Sequence, residues 1–81
     1  MINFNLKTMT TYLDNKLGSK GHFEKKFGLE YLVPNVDEEK LLEAGFEFIS
    51  YDFEHNYPMY RYENLEAFYN ETILHIYEIG N

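Results

Sequence analysis

Apolar residues change their spacing several times along this chain of 81 residues, and each change marks an expected element. Over residues 7–17, Leu6, Met9, Leu13 and Leu17, with Tyr12, recur at three- and four-residue intervals, which predicts a helix stopped by Gly18. GSKG at 18–21 reads as a turn, and HFEKKFG at 22–28 as one short helical turn ended by Gly28. LEYLV at 29–33 has strand composition and stops at Pro34. In VDEEKLLEAG, Asp37 is a good N-cap, Glu38 and Glu39 sit where the helix dipole favours negative charge, and Gly45 suits the C-terminal end. Leu41 and Leu42 anchor this short middle helix, with Glu39 and Glu43 towards water.

FEFISYDF at 46–53 is strand-like, but its apolar parity changes. Phe46 and Phe48 share one face, whereas Ile49, Tyr51 and Phe53 share the other, and a period of two cannot turn both sets inward. Either a bulge near Phe48 and Ile49 re-phases the strand, or both of its faces are covered. EHNYP then supplies a turn and MYRY a returning strand, a hairpin with a loop of about five residues. Pro58 belongs at an edge or turn position, and a trans bond after Tyr57 is the expected form. In the last segment, Leu65, Phe68, Tyr69, Thr72, Ile73, Ile76 and Tyr77 follow an i, i+3, i+4, i+7, i+8, i+11, i+12 pattern. That predicts a helix over 65–78, capped by Asn64 and closed by Gly80. The expected fold is one α+β domain, 1–81: a small antiparallel sheet of about three strands against an N-terminal helix, a C-terminal helix and a short middle helix.

Composition changes this picture in two ways. Seven Phe and eight Tyr enlarge a core that so short a chain could otherwise barely fill. The absence of Cys removes disulfides, thiolate nucleophiles and thiolate-bound zinc, and fits a cytoplasmic protein. The start, MINFNLKTMTTYLD, lacks the pattern of an export signal, and no apolar run is long enough to span a membrane.

The net charge of -7 hides an asymmetry. Residues 1–26 hold five lysines against two acids, a balance of +3, while residues 27–81 hold Lys40 and Arg61 against twelve acids, a balance of -10. Such a field repels nucleic acid and attracts basic partners, with a reach of roughly 8 Å at physiological salt. Charge of this kind also keeps an aromatic-rich protein in solution, and composition leaves both readings open.

For catalysis the candidates are His22, His55 and His75, with Asp52 and Glu54 beside His55. No base, nucleophile and orienter are indicated together, D-F-E-H is not a known ligand spacing, and no phosphate loop or hydrolase motif is present. No enzyme activity, metal or cofactor is therefore expected. The candidate partner-binding residues are Tyr57, Tyr60, Arg61 and Tyr62 as aromatic and arginine anchors, with Glu63, Glu66, Asn70 and Glu71 as polar complement. Carboxylates held rigidly can imitate a row of phosphates to a protein that grips nucleic acid through Lys and Arg. Lys20, Lys25 and Lys26 around His22, Phe23 and Phe27 offer an alternative, nucleic-acid binding through the basic N-terminal third.

The run ENLEAFYN at 63–70 resembles the inhibitory helix of barstar-type ribonuclease inhibitors, which projects carboxylates into a basic nuclease site. The resemblance places Glu66 at the first acidic position; Asn70 stands where that family has its second carboxylate, and Tyr62 where it has glycine. In size, acidity and Tyr/Glu/Asn-rich make-up the chain is also similar to phage-encoded anti-CRISPR and antirestriction proteins. Both resemblances imply a non-catalytic inhibitor whose partner is a nuclease or another protein with a basic surface. An immunity or antitoxin-type protein, binding through apolar contacts, is the alternative.

Overall fold

The computed structural model describes residues 5–25 and 28–79. A 3₁₀ turn at Leu6–Thr8 leads into helix α1 (Thr10–Leu17), and a second short helix, α2 (Glu38–Glu43), follows the first two strands. The strands are β1 (His22–Lys25), β2 (Leu29–Pro34), β3 (Glu47–Asp52), β4 (Tyr57–Tyr62), β5 (Leu65–Asn70) and β6 (Ile73–Glu78). They form one sheet in the order β1-β2-β6-β5-β4-β3, with every neighbouring pair antiparallel. β1 and β3 are thus its two edges.

Alternation within the inner strands explains the layering. Tyr31 and Val33 of β2 lie opposite Ile76 and Leu74 of β6, which in turn oppose Ala67 and Tyr69 of β5. Those side chains point to one face, where they join Leu6, Leu13, Leu17, Val36, Leu41, Ala44 and Phe46 in a single buried cluster. Each aliphatic side chain fully withdrawn from water contributes about 1.5–3 kcal/mol, so this cluster is the chief source of stability. Three tyrosines hold the layers together, two joining the sheet to the helices and Tyr12 joining α1 to the end of α2. Tyr31 donates to Asp14 of α1 at 2.6 Å, Tyr60 to Glu38 of α2 at 2.5 Å, and Tyr12 to the carbonyl of Ala44 at 3.0 Å. Gly18 closes α1 at φ 73, and Gly45 turns the chain from α2 into β3 at φ 109, where a side chain would also meet the ring of Tyr62.

Several expectations need correction. Among the described residues the sheet has six strands, and there are two short α-helices in place of three. Residues 65–78 are the β5–β6 hairpin, not a helix. Ala67, which the helical reading left outside, is fully buried, and Glu71 takes a left-handed φ of 60 in the connecting turn. The run at 63–70 is accordingly a turn and a strand, so the helical display implied by its resemblance does not form. Gly80, the expected helix end, lies outside the described residues. Residues 22–25 pair as a strand where a helical turn was expected, and 26–27 lie outside the described residues.

Other expectations hold. α1, β2 and α2 fall where spacing and caps put them, with the Asp37 side chain accepting from the Lys40 amide. The parity change is resolved by a bulge, since the β3–β4 register shifts between Phe48 and Ser50. Pro58 is trans as expected, but the expected turn EHNYP is corrected: Tyr57 and Pro58 pair with Asp52 and Tyr51 as the start of β4, and the turn is 53–56. No helix among the described residues is long and apolar enough to cross a membrane.

Candidate partner-binding surface

The face of the sheet away from the helices carries the residues one step out of phase with the core: Glu30, Tyr57, Met59, Arg61, Glu66, Phe68, Asn70, His75 and Tyr77. Across it runs a stack of four rings. His55 lies on Tyr57 at 5.6 Å between centroids, Tyr57 on Phe68 at 4.4 Å and Phe68 on His75 at 4.7 Å, all within 20° of parallel. The stack ends where His75 Nδ1 meets Glu30 Oε1 at 2.8 Å. The inner rings, Tyr57 and Phe68, are each covered on both faces by their neighbours in the stack. Its contribution is cohesion between strands, about 0.5–1.5 kcal/mol for each pair.

Beside the stack, Glu66 accepts from Tyr77 Oη and from Arg61 Nη2, the latter at 2.8 Å. Burial alone would raise the Glu66 pKa, but the hydrogen bonds from Tyr77 and Arg61 outweigh it and hold the carboxyl below its usual range. Tyr77 is pushed upward by burial and then by Glu66. Arg61 and Glu66 thus neutralise one another within the sheet face.

The structure separates the eight candidate residues. Tyr57, Arg61, Glu66 and Asn70 lie on the open face. Tyr60 is only 2 % exposed and points the other way, its phenol raised by burial and by the bond to Glu38. Tyr62 is half-buried against Phe46, ring centroids 5.5 Å apart, and serves the core. Glu63 and Glu71 occupy the two tight turns at φ 56 and φ 60, at opposite ends of β5.

Leu41 alone is buried in α2, and Leu42, expected to anchor that helix with it, is 46 % exposed. The densest exposed apolar surface belongs to residues that sequence reading did not select: Phe48 is 54 % exposed, Ile49 43 %, Tyr51 37 % and Phe53 86 %, all in edge strand β3 or the turn after it. The signal was the parity change itself: a bulged strand with apolar residues of both phases at a sheet edge cannot bury both sets. Glu47, Ile49, Arg61 and Glu63 line a shallow recess of about 280 Å³ at the Glu47 end of the strand. Arg61, bonded to Glu66 through Nη2, stands in this recess opposite Glu47, with the carboxylate of Glu63 beside it.

The turn beyond β3 is held by its own side chains. Asp52 Oδ1 accepts from the amides of Glu54 and His55 at 3.0 and 3.1 Å, Oδ2 lies 3.0 Å from His55 Nδ1, and Tyr51 donates to Asn56 at 2.7 Å. The bond to His55, with the amide bonds, keeps the Asp52 pKa low, and Asp52 raises that of His55. Asp52, Glu54 and His55 bring ligand atoms within 4.8 Å of one another, yet both Asp52 oxygens already hold the turn. The remaining histidines also meet carboxylates, His22 with Glu24 and His75 with Glu30. Comparison with protein-family models, with curated proteins and with solved structures finds no match to this chain.

Proposed function

We propose that this protein is a non-catalytic inhibitor that binds a nucleic-acid-handling protein and fills its basic site with a folded acidic and aromatic surface. The observation that supports this reading is the neighbourhood of β3: four exposed apolar side chains beside Glu47, Glu54 and Glu63, where the adjacent cation, Arg61, is already paired with Glu66. Carboxylates spaced along a rigid edge draw a positive cleft into encounter, and the apolar groups slow release once water is excluded. Asp14, Glu38 and Glu66 are engaged by tyrosines and contribute to the fold instead.

The test is to capture the partner on immobilised protein, then assay its action on DNA and RNA with and without excess inhibitor. A nucleic-acid-handling partner that is blocked, with affinity falling as salt rises, is the expected result. A complex unmoved by salt, or a partner that stays active within it, contradicts the reading.

The exposure of Phe53 favours one alternative, an immunity-type partner held by apolar contacts. Replacing Glu47, Glu54 and Glu63 by Gln separates the two. Phosphate imitation predicts a loss of roughly a hundredfold or more, and apolar recognition predicts little change.

A further inference from the structure

We infer that the free edge of β3 receives an extended segment of the partner as a seventh strand, and that this segment alternates basic and apolar residues. The inference rests on the function proposed above and specifies how the partner is held.

Six strands have two edges, and only one is open to extension. β1 has four residues, carries Lys25 with Lys20 nearby, and its Phe23 packs on Tyr31 at 4.9 Å. Short length and lysines are the usual protection of a sheet edge. β3 has neither: it is six residues long, holds no Lys, Arg or Pro, and presents apolar groups to solvent on both sides of the single bulge between Phe48 and Ser50, its one protective irregularity. An edge strand directs unpaired N–H and C=O groups outward, where another extended chain can complete the ladder.

Its two sides differ, and they define the occupant. On the helix side Phe48 and Tyr51 stand beyond the reach of the helices, Phe48 edge-on to Tyr60 at 5.8 Å between centroids. On the other side lie Glu47, Ser50 and Asp52, with the recess of Glu47, Ile49, Arg61 and Glu63 at one end; Asp52 is held by its own turn and Arg61 by Glu66, so Glu47 and Glu63 are the carboxylates open to a partner. A strand laid beside β3 therefore meets apolar groups on one face and carboxylates on the other, and with a period of two this selects alternation of apolar residues with Lys or Arg. A second copy of this chain does not fit. Each copy carries a net charge of -7, and centring one β3 antiparallel on another would set Glu47 against Asp52.

The experiment uses the intact protein and a short, end-blocked peptide alternating lysine and valine, with a peptide of the same composition in two blocks as control. Binding is followed by backbone amide NMR and hydrogen exchange. The alternating peptide is expected to bind at least roughly tenfold more tightly than the block peptide. It should also slow exchange at outward-facing β3 amides while leaving α1 and α2 unchanged. Tyr51→Lys, which puts a like charge on an exposed edge position, should weaken binding roughly tenfold without altering the β2–β6 amide spectrum.

Equal binding of the two peptides, protection at β1 or the helices instead of β3, or no binding at millimolar peptide would each overturn the inference. So would concentration-dependent self-association that protects β3. Failure here with partner inhibition intact leaves the proposed function standing by another geometry; peptide docking at β3 without inhibition of any nucleic-acid-handling partner removes that function alone.

Discussion

The two halves of this one sheet have opposite characters. β2, β6 and β5 are covered by α1 and α2, and Val33, Leu74, Ile76, Leu65 and Ala67 are withdrawn from water. β3 and the turn beyond it have no helix above them and expose four large apolar side chains. Two short helices can roof only part of six strands. The uncovered strand then keeps apolar residues that its neighbours do not need for folding, which is the usual mark of a surface meant for another molecule.

That division predicts that the same kind of truncation has different consequences in the two regions. Leu74→Ala should lower stability by about 2–5 kcal/mol, because the site lies between two strands and the helix layer and cannot collapse. Phe53→Ser should change it by less than about 0.5 kcal/mol while weakening partner binding. Urea titrations of the two variants check both values, and comparable losses would erase the distinction.

A second, broader effect belongs to the phenols of the inner strands. Burial, assisted by Asp14, pushes Tyr31 up to about 12, burial with nearby Asp37 and Glu38 does the same for Tyr69, and Tyr60 and Tyr77 are raised as well. A raised phenol holds its proton more tightly in the folded chain. Its contribution is complete below the unfolded value of about 10 and is lost as pH climbs through the raised value. Urea midpoints should therefore fall steeply between about pH 10 and 12, and a flat profile there would contradict the buried geometry.

Smaller effects sharpen the comparison at the turns. Glu71→Gly should stabilise the protein by about 0.5 kcal/mol, since a left-handed backbone strains any side chain but costs glycine little. Glu63→Gly should give a similar gain in thermal unfolding yet weaken binding, because Glu63 also lines the acidic recess. The smallest change concerns Tyr69, whose hydroxyl is buried without a hydrogen-bond partner. Tyr69→Phe removes an unpaired polar atom and should leave stability equal or higher by less than about 1 kcal/mol.

These turns also explain what could be read from the chain. Caps and spacing located α1 and α2, and the parity change at Phe48 and Ile49 located the bulge, because each rests on local geometry that few residue types satisfy. The β5–β6 hairpin was hidden for the converse reason. A two-residue turn of this kind is normally announced by glycine or asparagine at its left-handed position, and here glutamate occupies it at both 63 and 71. With no turn signal at Glu71 and Thr72, Leu65, Phe68, Tyr69, Ile73, Ile76 and Tyr77 also satisfied a helical period. The exposed aromatic surface was not legible in place. Tyrosine and glutamate density suggested a surface near 57–71, whereas pairing sent Tyr60 and Tyr62 inward and left Phe48, Ile49, Tyr51 and Phe53 outside.

The most direct measurement is hydrogen exchange of the protein alone and bound to its captured partner. If β3 is the docking edge, protection should rise over residues 47–56 and remain unchanged in α1, α2 and β1. Protection gained on the helix layer or β1, with residues 47–56 exchanging as in the free protein, would contradict the account.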